Sequence, residues 1–293
     1  QGRRQGPLRA GAVMIRPADT FGADARLIPL ATGVELSVTD RGEGLPLILI
    51  HGVSMSAAYF HPVIDPLVDA GYRVVVPDLR GHGRSPHAEG GHTIGQYADD
   101  IDALLDALGI DRCVLVGWSM GNLVAWELML RHGRDRVAAH VNISQGPTDL
   151  QTDDFPYAPL PLEAIHGFIA ACQGDFRGTI EGFVPVMFKE PLAPEDVAWC
   201  ADESCLVGAN AACAILLDQT LYDAREAIAS GSPPTLNLWG VHEGLIPVAM
   251  GEWCRDNIPG SEYVVFEGSG HCPQLEEPER CVETIRDYLT RTL

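Results

Sequence analysis

The sequence predicts an α/β fold: a mostly parallel central sheet covered by helices on both faces, with a helical lid insertion late in the chain. Three observations predict it. Short apolar runs alternate with amphipathic helical stretches, the rhythm of strand–helix–strand crossovers. The run Leu45–Ile50 has no polar break, as a strand buried on both faces requires. From about Gly146 to Ser232 the rhythm stops and only helical patterns remain, over a span too long for a βα loop.

In chain order, residues 1–23 have no period and read as a loose arm. Arg26–Leu30 and Val34–Asp40 read as strands around the turn Thr32-Gly33. Leu45–Ile50 follows, then a helix over about 57–70 and a buried strand at Tyr72–Val76. Thr93–Leu108 is an amphipathic helix, with Ile94, Tyr97, Ile101, Leu104, Leu105 and Leu108 on one face and Gly109 ending it. Arg112–Val116 is a buried strand, Asn122–Arg131 a helix, and Arg136–Ile143 another strand. Helical patterns then cover 162–171, 179–188, 194–206 and 211–229. Strands return at Thr235–Trp239 and Tyr263–Phe266, and a helix closes the chain over about 278–289. The expected organisation is an arm at 1–23, a core at 24–146, a lid at 147–232, and the rest of the core at 233–293.

The chain has 293 residues, 46% of them hydrophobic, enough for a sizeable core. Its formal net charge is -20, and Lys189 is the only lysine. No basic patch is available to grip phosphates, so nucleic acid is not an expected partner. No apolar stretch is long enough to span a membrane, and none stands behind the polar, Arg-rich Gln1–Gly11 as a secretory signal requires. The expectation is a cytoplasmic protein whose natural start lies nearer Met14. Eight cysteines without C-x-x-C spacing are expected as reduced thiols, although a pair within Cys172–Cys213 could bridge.

The chemistry begins at Gly117-Trp118-Ser119-Met120-Gly121, between an apolar strand and a helix. A serine lifted out of a sheet on a strained strand-to-helix turn leaves no room for Cβ atoms beside it, and the glycines remove them. Serine needs a base, and the base an orienting carboxylate. His271 follows the strand at 263–266 after a short loop, and Glu243 lies just past the strand at 235–239. Asp149, Asp153 and Asp154 compete for the acid role. His51 reads as an anchor for its loop and Asp78 as a cap of its own. His242 reads as a rim residue, and His82, His87 and His92 as solvated loop histidines. No metal, nucleotide or flavin is implied, and no G-x-G-x-x-G follows a strand.

The chain resembles the α/β-hydrolases, near carboxylesterases and cofactor-free haloperoxidase-like perhydrolases. The residues that carry the resemblance are His51-Gly52, Asp78–Ser85, the Ser119 elbow, Gly240-x-x-Glu243-x-x-x-Pro247 and Gly270-His271 with Glu276-Glu277-Pro278, together spanning about Arg26–Leu293. Glu243 departs from the family's commoner Asp. The resemblance implies the α/β-hydrolase fold, catalysis by Ser119, His271 and Glu243, and an oxyanion hole made by the backbone N–H groups of Val53 and Met120. Candidate pocket residues are Trp118, Phe183, Met187 and Phe188, while Phe168 and Phe176 are expected in the core of the insertion. The implied activity is hydrolysis of an ester or related acyl bond of a small apolar molecule, without cofactor. Cofactor-free dioxygenase, lyase or C–C hydrolase chemistry and a non-catalytic small-ligand receptor are the alternatives. Whether the chain forms a homo-oligomer stays open.

Overall fold

The computed structural model describes residues 15–18 and 22–293. Strands β1 (Arg26–Pro29), β2 (Glu35–Arg41), β3 (Pro46–Ile50), β4 (Arg73–Pro77), β5 (Cys113–Trp118), β6 (Val137–Ile143), β7 (Thr235–Gly240) and β8 (Glu262–Phe266) form one sheet, in the order β1-β2-β4-β3-β5-β6-β7-β8. β1 pairs antiparallel with β2, and β2 antiparallel with β4; β4 to β8 are parallel. Every residue of β5 and β6 is buried, which is why their sequences show no alternation.

The chain winds from β3 outward to β4, then crosses back to lay β5 on the other side of β3. The carboxyl ends of β3 and β5 therefore diverge into a crevice, the place where open α/β sheets hold ligands. Backbone strain gathers on that edge. Among the described residues the non-glycine positions with positive φ are Ser54, Ser119 and Ser144, each one to four residues beyond β3, β5 or β6.

Helices α1 (His61–Asp69), α2 (Ile94–Ala107) and α3 (Met120–His132) cover the first half of the sheet. A 3₁₀ turn over Ala57–Phe60 precedes α1, so the stretch expected as one helix over 57–70 is two pieces. The insertion carries α4 (Leu162–Gly174), α5 (Phe176–Phe183), α6 (Pro194–Ser204), α7 (Ala209–Leu221) and α8 (Arg225–Ala229). The pattern over 211–229 does not make one helix: α7 ends where the chain turns to give Ala224 N to Pro147 O at 2.7 Å. Two further helices are not among the expected elements: α9 (Val248–Asn257) between β7 and β8, and the short α10 (Pro273–Glu276) before α11 (Pro278–Thr292).

The arm is not loose up to residue 23. Ile15 is 2% exposed within the core, and Arg16 pairs with Asp196 of α6 at 2.6 Å. The remainder of that stretch, residues 1–14 and 19–21, lies outside the described residues. All eight cysteines are free, so no pair within Cys172–Cys213 bridges. Among the described residues no single helix is long and apolar enough to cross a membrane.

Candidate active site

Ser119 follows the last residue of β5 and caps α3 with φ 53°. The flanking glycines are dictated by contact. A Cβ on Gly121 would stand 2.0 Å from Ile50 O, in the backbone of the neighbouring strand β3. One on Gly117 would stand 2.4 Å from Asn122 Oδ1. Asn122 is itself fixed, donating to Ser119 O and Ile143 O and meeting His140 Nε2 at 3.0 Å. Met120 opens α3, and a first-turn N–H has no partner within its own helix.

His271 is held through its backbone, donating its N–H to Met187 O at 2.7 Å and accepting Trp118 Nε1–H at 2.8 Å. Its Nδ1 lies 2.8 Å from Glu243 Oε2. An ionised carboxylate only accepts, so Nδ1 carries a proton, and it is the Nε2 side of the ring that faces away from Glu243. The other Glu243 oxygen, Oε1, accepts from Leu245 N at 2.9 Å and Ile246 N at 3.2 Å. Burial pushes the Glu243 carboxyl up, but His271 and the two amides outweigh it and hold it below the ordinary value.

The competing carboxylates are not bonded to the His271 ring, although Asp149 lies near enough to feel its charge. Asp149 is buried, with its oxygens taken by the amides of Gln145 (2.8 Å) and Gln219 (2.5 Å). Asp153 and Asp154 are exposed, and Asp154 pairs with Arg225. His242 is exposed. His51 donates from Nδ1 to Gly52 O at 2.8 Å and accepts Leu79 N–H at Nε2, tying the loop after β3 to the loop after β4. Burial lowers its pKa to about 4, so it is neutral. Asp78 accepts from Ala57 N and from Arg84 N, within its own loop and beyond it.

The loop histidines differ from expectation. His87 is exposed, but His82 and His92 are buried. His82 lies against the ring of His51, and His92 meets Tyr97 Oη and Ala88 O. Burial lowers the His82 pKa to about 3. They pack the base of the loop after β4, and no group of three or more potential metal ligands forms among the described residues.

Gly52, Val53, Trp118, Ser119, Met187 and His271 line one niche of about 20 Å³, room for a water-sized group. Beside it lies a cavity of about 290 Å³ walled by α4, α5 and α7. Val53, Met55 and Phe183 line both spaces, so the two adjoin. No charged side chain lines the cavity. Of the expected pocket residues, Trp118 and Met187 border the niche and Phe183 both spaces. Phe188 lines neither; it is buried in the main core, because the extended backbone after the 3₁₀ turn at 184–187 directs it inward. Phe168 and Phe176 line the cavity rather than only the core of the insertion, since α4 and α5 present one face to the hollow. Residues the sequence reading missed include Met55, Ile165, Ile180 and Leu216. They are ordinary apolar positions of helices or a loop, with nothing in sequence to separate cavity wall from core.

A parallel α/β sheet with a strained serine at the end of its central strand, and a carboxylate-bound histidine beside it, defines the α/β-hydrolase class. The profile of the alpha/beta hydrolase fold matches residues 46–278. The chain belongs to that family. It is 30% identical to the pimeloyl-[acyl-carrier protein] methyl ester esterase of Aeromonas hydrophila, over 87% of this chain and 100% of that one. It is 29% identical to the non-heme chloroperoxidase CPO-A1 of Kitasatospora aureofaciens, over 83% of this chain and 92% of that one. The structure of an esterase from Exiguobacterium antarcticum superposes with a TM-score of 0.86 at 26% identity, covering 90% of this chain and 98% of that one.

Proposed function

We propose that this protein is a serine hydrolase cleaving an ester or related acyl bond of a small, uncharged, apolar molecule. The observation that carries the reading is one niche shared by Ser119, at its strained turn, and His271, with Glu243 on its far nitrogen. The similarity to esterases supports the same class.

In this reading Ser119 Oγ attacks the substrate carbonyl while its proton passes to His271 Nε2. The imidazolium that forms is stabilised by the buried Glu243 carboxylate. The oxyanion is received by the N–H groups of Val53 and Met120, each such donor contributing about 3 kcal/mol to the transition state. Nε2 then returns the proton to the leaving alcohol. Water, deprotonated by the same nitrogen, attacks the acyl-enzyme and frees the acid. The helices of 147–232 act as a lid, and the cavity beneath α4, α5 and α7 takes an apolar arm of the substrate. Likeness to a chloroperoxidase supports peroxide replacing water as a side reaction.

Substituting Ser119→Ala tests the reading. Loss of fluorophosphonate labelling together with a fall in ester turnover of about 10⁴-fold or more is expected. Retained activity would favour a His271–Glu243 pair with Ser119 a spectator, the arrangement of cofactor-free dioxygenase or lyase chemistry. A wild-type protein that binds esters without turnover would be a receptor.

A further inference from the structure

The segment Gly52–Ser56 leaves β3 and carries Val53, with Ser54 held at φ 56°. Its far end is fixed by an acid from the insertion. Ser56 Oγ accepts from Ala58 N at 3.3 Å and donates to Glu203 Oε2 at 2.6 Å. Glu203 stands in the last turn of α6 and also takes both terminal nitrogens of Arg84, at 2.5 and 2.6 Å. Arg84 N in turn donates to Asp78 Oδ2 at 2.9 Å, and Asp78 Oδ1 accepts from Ala57 N at 2.7 Å. The bonds close a ring running Ser56, Glu203, Arg84, Asp78, Ala57. The next residue of α6, Ser204, sets its Oγ 3.5 Å from Met55 Sδ, so α6 meets the segment at two successive positions.

Glu203 is 6% exposed, and a covered carboxylate is costly unless its oxygens are bonded. Its three charge-assisted bonds therefore define one seat for α6. Glu203 lines neither the niche nor the cavity, so it has no direct contact through which to bind substrate.

We propose that Glu203 is a positioning residue: through Ser56 and Arg84 it fixes the Gly52–Ser56 segment, and with it the Val53 N–H, from a helix of the insertion. The proposal rests on the reading of Val53 as an oxyanion donor. Loosening the ring removes an interaction made in the transition state and leaves ground-state binding in place, so kcat falls while KM holds.

The test compares wild type with Glu203→Ala, Glu203→Gln and Ser56→Ala, using a p-nitrophenyl ester and an alkyl trifluoromethyl ketone. Ser119 Oγ adds to the ketone carbon: a C–O bond forms as the carbonyl π bond breaks to leave an oxyanion, the serine proton passes to His271 Nε2, and no group leaves. Glu203→Ala is expected to lower kcat about 10- to 100-fold, to leave KM within about 3-fold, and to weaken the ketone by the factor lost in kcat. Glu203→Gln, which keeps an acceptor for Ser56, recovers part of the loss. Ser56→Ala added to Glu203→Ala costs little more, because both act through one ring. Unchanged kcat in a folded Glu203→Ala protein, or a rise confined to KM, overturns the proposal. If circular dichroism finds that variant unfolded, Ser56→Ala alone is judged by the same kcat and ketone criteria. Failure of the hydrolase reading looks different: the wild type itself would neither turn over the ester nor bind the ketone.

Discussion

Glu243 Oε2 stands 2.8 Å from His271 Nδ1, with 0% and 3% of the two side chains exposed. The other carboxylate oxygen is spent on Leu245 N and Ile246 N, so the acid cannot turn without losing two amide bonds. A neutral amide at this position would face His271 with either the wrong group or a weaker acceptor. Glu243→Gln is therefore expected to lower kcat about 10³- to 10⁴-fold with KM little changed. Glu243→Asp, one methylene shorter, reaches the imidazole or the two amides but not both, and should fall between. Steady-state kinetics on a chromogenic ester checks the order wild type, Asp, Gln; a Gln variant as active as wild type would remove Glu243 from the mechanism.

Stability should depend on pH through Asp78. Burial raises its pKa from the ordinary 3.8 to about 6, against the bonds from Ala57 N and Arg84 N. Between about pH 4 and 6 the folded chain keeps a proton there that the unfolded chain has released. The unfolded state thus binds fewer protons, and stability falls as pH rises through that window, by up to about 1.4 kcal/mol per pH unit. The lowered Glu243 acts in the opposite sense, contributing stability above its ordinary 4.5 that is lost as pH falls through its folded value. Asp78→Asn should be less stable throughout, having one acceptor fewer, yet show a flatter profile between pH 4 and 6. Urea midpoints across that range decide it; an unchanged slope would reject Asp78 as the titrating group.

The elbow glycines should differ sharply from an open one. Gly121→Ala forces a methyl onto the backbone oxygen of Ile50, which cannot swing aside, and should cost at least about 3 kcal/mol or prevent folding. Gly117→Ala meets the fixed Asn122 side chain and, at 2.7 Å, the backbone N of Asn122, so it too should cost several kcal/mol and displace Ser119. Gly167, inside α4, has nothing within 4 Å of an added Cβ, so Gly167→Ala should stabilise by about 0.5–1 kcal/mol. Thermal melts of the three variants test the ranking.

Chain-length preference should follow the cavity. Ala212 of α7 lines it and is 3% exposed, so Ala212→Leu adds three methyl-sized groups to the hollow. Because a methylene in an apolar pocket is worth about 1–3 kcal/mol, kcat/KM for long-chain esters should drop about 10-fold or more relative to acetate. Phe168→Ala, which removes a ring stacked edge-on to Phe183 at 5.7 Å, should shift preference the other way. Esters graded by acyl length, assayed with each variant, would show equal losses at every length if the cavity holds no part of the substrate.

Much of this was legible in the chain because it is local. The strand into Ser119, the two glycines and the helix behind it lie within a few residues of one another, and the unbroken apolar strands announce a sheet covered on both faces. His271 and Glu243 each follow a readable strand, so parallel topology alone delivers them to one edge. The buried His82 and His92 were not legible: each sits among polar and small residues in sequence, and the rings that cover them, His51 and Tyr97, come from other elements.

The amino-acid order alone determined the α/β class, the strand-to-helix turn that carries Ser119, and the short set of candidates for its histidine and acid, since each depends on a short pattern and on which end of a strand it follows. Tertiary packing alone decided which of those acids meets the histidine, which aromatic rings line the hollow, and that Glu203 meets Arg84 across 119 residues. The physical reason is range: a turn or an apolar run is written in neighbouring residues, whereas a buried ion pair and a cavity wall exist only when distant surfaces are pressed together and water is expelled between them.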